Sequence, residues 1–78
     1  ENIVNYGRNI SGVEVSIFAR EKDGRYKISL RANEYVDVSQ IASKYAGGGH
    51  LRAAGLEMAM PLEQVKQTLV EEIKKQLK

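Results

Sequence analysis

The residues with the clearest chemical potential are Gly47-Gly48-Gly49-His50. Three adjacent amides without Cβ atoms can curl around an anion, and a turn of helix over Leu51–Gly55 would aim its positive N-terminal end at the same point. Phosphate is the obvious anion. At the loop exit the His50 imidazole can donate a hydrogen bond to it, and Arg31, at the end of a polar strand face, can add a bidentate guanidinium. Arg52 is a third cation within reach of the loop. The pattern is not a nucleotide P-loop, because no Lys followed by Ser or Thr comes after the glycines and the loop follows a helix instead of a strand. It is not a dinucleotide fingerprint either. The same residues also have plainer readings. A glycine triplet after a helix serves as a stop and a tight turn, a histidine can cap a carbonyl, and Arg25, Lys27 and Arg31 form an ordinary solvated strand face unless Arg31 converges on the loop.

Other chemistry fails on inventory. With no cysteine and one histidine, the chain offers neither a thiolate cage nor a nitrogen-rich metal site. Glu14, Asp23, Glu34 and Asp37 fall in separate elements without ligand spacing. Ser29 and Ser39 have no evident histidine partner, and a serine nucleophile needs an oriented base and an oxyanion hole. These absences describe a recognition module and not a whole enzyme. The formal net charge is only +2, with twelve Lys and Arg against ten Asp and Glu, and no segment forms a basic tail. A phosphate ligand must therefore be held by a few placed groups and not by a broad electrostatic stripe.

The elements that must position these residues follow from periodicity. A chain of 78 residues makes one domain, residues 1–78, with a modest core. Residues 1–12 show no sustained period and end in Asn9-Ile10-Ser11-Gly12, so they read as an entry segment with one helical turn at most. From Val13, alternation of Val15 and Ile17 with Glu14 and Ser16 predicts a strand, with Phe18 breaking the clean polarity. Asp23-Gly24 suits a tight turn, after which Tyr26, Ile28 and Leu30 alternate with Arg25, Lys27, Ser29 and Arg31, so residues 13–31 read as a hairpin. Asp37 is placed to cap a short helix over 38–46, with Gln40 at the third position of a capping box. Beyond the glycines, Leu51–Gly55 reads as a helical turn, followed by a third strand in which Leu56, Met58 and Met60 alternate with Glu57 and Ala59. Pro61 starts the last helix, whose stripe runs through Leu62, Val65, Leu69, Val70, Ile73 and Leu77. The expected class is α+β, a two-layer domain with a small mixed sheet, the hairpin plus at least one further strand, covered by helices. No apolar run reaches the roughly 18 residues of a membrane span. The chain opens on Glu1-Asn2-Ile3 with no initiator Met and no signal-peptide pattern, so it reads as a piece of a longer protein.

At Gly47-Gly48-Gly49-His50, followed by Ala53-Ala54-Gly55, the chain resembles the DHH-associated domain of subfamily one, the C-terminal domain of DHH phosphoesterases. Gly12-Val13-Glu14-Val15, Lys27-Ile28-Ser29-Leu30-Arg31 and Val36-Asp37-Val38-Ser39 with Ile41-Ala42 fall in the order expected of the oligoribonuclease (nanoRNase) and pAp-phosphatase branch. The resemblance covers nearly all of residues 3–60, and the last helix agrees in kind only. It implies a cytoplasmic two-domain enzyme, with a homodimer as one expectation. An N-terminal DHH domain in cis would carry the Asp-His-His motif and a pair of divalent metals, usually manganese, that activate a water for attack on phosphorus. The C-terminal domain would bind no cofactor of its own and would hold the base or distal phosphates of a short RNA or nucleotide. The binding positions the resemblance carries over are Arg31, Gly47, Gly48, Gly49 and His50, with no catalytic residue and no metal ligand. Two departures bear on substrate preference: Ala32 stands where a serine is common, and Leu51 where a polar or basic residue is. Single-strand DNA exonucleases, cyclic-dinucleotide phosphodiesterases and alanyl-tRNA synthetases share the domain, so the fold family does not name the substrate. Short RNA, or adenosine 3′,5′-bisphosphate, is the reading adopted. A noncatalytic interaction or self-association module is the alternative, motivated by the near-neutral charge.

Overall fold

The computed structural model describes residues 3–10 and 13–76 of the chain, with side-chain environments from residue 15 onward. Five strands, β1 (Ile3–Ile10), β2 (Val13–Lys22), β3 (Arg25–Ala32), β4 (Gly48–His50) and β5 (Ala53–Met58), form one sheet in the order β1-β2-β3-β5-β4. Two helices, α1 (Val38–Ser43) and α2 (Leu62–Lys75), complete the α+β domain.

The hairpin forms as its sequence dictates. Asp23 and Gly24 take φ of 55° and 78°, the pair of positive values that a two-residue turn needs to match the twist of its flanking strands. Alternation then sends Val15, Ile17 and Ala19 of β2, Ile28 and Leu30 of β3, and Ala54, Leu56 and Met58 of β5 to one buried face. Against that face pack Val38, Ile41 and Ala42 of α1 and Val65, Leu69 and Ile73 of α2, in a single core that also takes Val36. The Asp37 carboxylate caps α1 by accepting the Gln40 N–H, as its position predicts.

The structure departs from the sequence reading in several places; α1 ends at Ser43 and not at 46, and β5 ends at Met58 before Met60. Every strand pairing is antiparallel, so the sheet is antiparallel and not mixed. The stretch read as an entry segment contains β1, which runs alongside β2 from Ile3↔Arg20 to Ile10↔Val13. Its own residues show no period, and the partner strand supplies the order. The helical turn expected at Leu51–Gly55 is instead a tight turn at Leu51-Arg52 leading straight into β5. Alanines favour helix in isolation, but pairing of Ala53 with Arg31 and of Ala54 with Leu30 overrides that propensity.

Long-range bonds fix the end of the sheet nearest the turn. The Arg52 guanidinium donates to the Val36 carbonyl at 2.8 Å. The Val38 and Ala32 N–H groups donate to the carbonyls of Leu51 and Arg52, both at 2.9 Å. The Gln76 carboxamide closes on the backbone of Asp37, accepting its N–H at 2.8 Å and donating to its carbonyl at 3.0 Å.

Candidate functional site

Both helices cover the same face of the sheet, so the opposite face is open. Strand alternation and register place on it Ser16, Phe18 and Arg20 from β2, Arg25, Lys27, Ser29 and Arg31 from β3, Ala53, Gly55 and Glu57 from β5, and Gly48 and His50 from β4. Two lateral rows organise the region. One runs Ser16–Arg31–Ala53–His50, and the other, two residues along the strands, runs Phe18–Ser29–Gly55–Gly48.

The first row brings Arg31 and His50 together although 18 positions of sequence lie between them. They stand on either side of Ala53, two strand spacings or about 9.5 Å apart along the sheet. Both are exposed, and among the described residues neither has a hydrogen-bond or ion-pair partner. The floor between and beside them carries only the Ala53 methyl and the bare backbone of Gly55 and Gly48. Arg52 does not join them, since its guanidinium is engaged with Val36.

The glycine triplet does not form a free loop. Gly48 and Gly49 enter β4 with His50, and no helix follows, so the expected helix N-terminus is absent; what the segment offers instead is the free side of an edge strand. The three glycines have different reasons for being glycine. A Cβ on Gly47 would lie 2.2 Å from the Gly55 carbonyl oxygen, and one on Gly49 would lie 2.6 Å from the Ala54 Cα. Gly49 also has φ of 149°, a conformation that side chains rarely adopt. A Cβ on Gly48 would meet nothing within 4 Å. The fold therefore requires Gly47 and Gly49, whereas Gly48 keeps the open face low.

Two shallow concavities mark this face. One, of about 710 Å³, is lined on this face by Phe18, Arg20, Lys27, Ser29, Gly55 and Glu57 among others, and it also takes in Tyr45, Ala46 and Gly47 and the core residues Ala19, Ile28 and Leu56. The other, of about 520 Å³, is lined by Ser16, Phe18, Ser29 and Arg31. Phe18 and Ser29 belong to both and were not among the predicted binding residues. The signal for Phe18 was available, because it is the residue that breaks the polarity of its strand. Arg25 faces Glu57 at 3.6 Å, an exposed pair that solvent screens heavily.

Of the perturbed titratable groups, Asp37 and Glu72 lie away from these concavities, and Tyr45 lines the one of about 710 Å³. The Ser39 hydroxyl, donating to Asp37, leads in holding that carboxyl below its usual range. Lys44, donating to Glu72 at 2.7 Å, does the same for a carboxylate that is only 9% exposed. Tyr45 is pushed up by burial first and by the Glu72 charge second. Asp37 and Glu72 belong to the helical layer, not to the open face. Among the described residues no three of His, Cys, Asp and Glu cluster so as to hold a metal ion. The open face offers, among the described residues, exposed cations of the kind that suit an anion and one apolar ring, and no nucleophile paired with a base.

These features define a small α+β domain with one helix-covered sheet face. The chain belongs to the DHHA1 domain family, whose model matches residues 1–78. It is 32% identical over 78 residues to the bifunctional oligoribonuclease and PAP phosphatase NrnA of Thermus thermophilus, covering 99% of this chain and 24% of that protein. It is 39% identical over 54 residues to the probable bifunctional oligoribonuclease and PAP phosphatase NrnA of Streptococcus mutans, covering 68% of this chain and 17% of that protein. Over 33 residues, 41% of this chain and 8% of the relative, it is 52% identical to the oligoribonuclease NrnB of Bacillus subtilis. The chain thus spans a quarter or less of the length of these curated relatives.

Proposed function

We propose that this domain is the substrate-holding part of a DHH-type phosphoesterase acting on short oligoribonucleotides and on adenosine 3′,5′-bisphosphate. The observation that carries the reading is the single row on which Arg31 and His50 flank Ala53 above a floor lowered by Gly48 and Gly55. A phosphate over Ala53 can accept a bidentate contact from the Arg31 guanidinium and an N–H from the His50 imidazole. The family match and the names of the relatives agree with such a ligand. Divalent-metal chemistry, where the enzyme uses it, is assigned to an N-terminal DHH domain in cis; among the described residues of this chain no three His, Cys, Asp or Glu side chains group to hold a metal ion. The role of this domain is to hold the substrate against that centre.

The test is kinetic, in the full-length enzyme. Arg31→Ala and His50→Ala should each reduce kcat/KM for a diribonucleotide by roughly 10- to 150-fold, the worth of a charge-assisted contact. Metal content should be unchanged. Wild-type kinetics in both variants would overturn the assignment.

A further inference from the structure

We infer that Phe18 is a stacking platform for a nucleobase, so that the open face recognises single-stranded nucleic acid and not phosphate alone. The inference rests on the binding face proposed above and assigns the residue that reads the ligand's base.

Phe18 sits on an interior strand of the sheet but points away from the core. Its neighbours along β2, Ile17 and Ala19, are 3% exposed, whereas Phe18 is 37% exposed. β2 places Val15, Ile17 and Ala19 in the core, and Phe18 is not part of that cluster. A single exposed apolar side chain is ordinary on a protein surface; what sets Phe18 apart is the row of small residues beside it and the Arg31–His50 row next to that.

The surroundings favour a planar ligand. Across the sheet from Phe18 the row continues through Ser29, Gly55 and Gly48, one small hydroxyl and two residues without side chains. Open space lies above Gly48 for 4 Å, and at Gly55 only the backbone oxygen of Ile28 comes near, at 3.4 Å. Along this row a flat group beside the ring therefore meets no side chain larger than that of Ser29. The Phe18 row is offset from the Arg31–His50 row by two residues, about 6.7 Å along the strand. That offset suits a nucleotide whose phosphate lies on one row and whose base, reached across the ribose, lies on the other. Phe18 also lines both concavities of the face, one of which includes Arg31. Aromatic rings on sheet surfaces hold unpaired bases in this manner, tolerating any base because each has a π-face.

The experiment measures equilibrium binding to the full-length enzyme in EDTA, so that no turnover occurs, with two probes: 5′-phosphorylated diadenylate and the same dinucleotide backbone without bases. Phe18→Ala should weaken diadenylate binding about 5- to 150-fold, the range for one stacked base, and change binding of the abasic probe by less than about twofold. Phe18→Trp should retain diadenylate affinity. Equal losses for both probes in Phe18→Ala, or undiminished diadenylate binding, would overturn the stacking role. The phosphate site is judged separately: Arg31→Ala should weaken both probes, and if it weakens neither, the binding-face reading falls together with the inference.

Discussion

At the scale of single residues, the glycine triplet shows what a sequence reveals and what it hides. Its composition marked the segment that borders the proposed ligand face, but the three glycines look alike on paper and differ in space. Gly47 and Gly49 are pressed against the backbone of β5, while Gly48 stands in the open. Gly47→Ala and Gly49→Ala should therefore destabilise the domain by about 1–3 kcal/mol or more, as backbone strain and clash combine. Gly48→Ala should stay within about 1 kcal/mol of wild type and still weaken diribonucleotide binding, because its methyl rises from the floor beside the ligand. Thermal unfolding paired with a binding titration separates the two behaviours. Equal melting temperatures for all three variants would contradict the packing described for Gly47 and Gly49. Arg31 and His50 could be named from the chain, but their common row could not. It depends on β3 pairing with β5 across an intervening helix and a short edge strand.

At the scale of elements, local chemistry was legible and long-range partnership was not. The Asp23-Gly24 turn, the alternation of β2 and β3 and the Asp37 cap each follow from residues close in sequence. The bonds that lock α1 do not: Gln76 reaches the Asp37 backbone from 39 positions away, and Glu72 takes Lys44 from 28 positions away. These contacts have a consequence for acid stability. The carboxyls of Asp37 and Glu72 both titrate below their usual range in the folded chain, so each contributes stability that is fully present above the ordinary carboxylate values, about 4. That contribution is lost as the pH falls through the depressed folded values. Lys44→Met removes the leading cause of the Glu72 shift. The variant should be less stable than wild type near neutrality, and the gap should narrow as the pH falls below about 4. Asp37→Asn, which keeps a capping oxygen, should likewise flatten the acid limb. Urea unfolding at a series of pH values checks both, and a gap that is independent of pH would remove the Lys44–Glu72 pair as its source.

At the scale of the whole molecule, the sheet is covered on one side, and its other side carries Arg20, Arg25, Lys27 and Arg31 against Glu57 although the chain as a whole has a net charge of only +2. Not all of these cations are equally available: Arg25 lies 3.6 Å from Glu57, and Arg20 has an interaction of its own. Arg31 and Lys27 remain as exposed cations for a strand crossing the face. Single-stranded ligands release counterions in proportion to the phosphates neutralised, with a log–log slope of about −0.7 for each. Two such contacts predict a slope of about −1.4 for a short oligoribonucleotide, and Arg31→Ala should bring it to about −0.7. Affinity that salt leaves largely intact is what stacking on Phe18 and hydrogen bonding at His50 would supply, since neither depends on counterion release. A general nucleic-acid binder would lose affinity far more steeply, with a slope near −5 for seven contacts. A titration of the full-length enzyme across a tenfold range of salt therefore distinguishes a face that positions a short substrate from one that merely attracts a polyanion, and a steep slope unaffected by Arg31→Ala would reject the first.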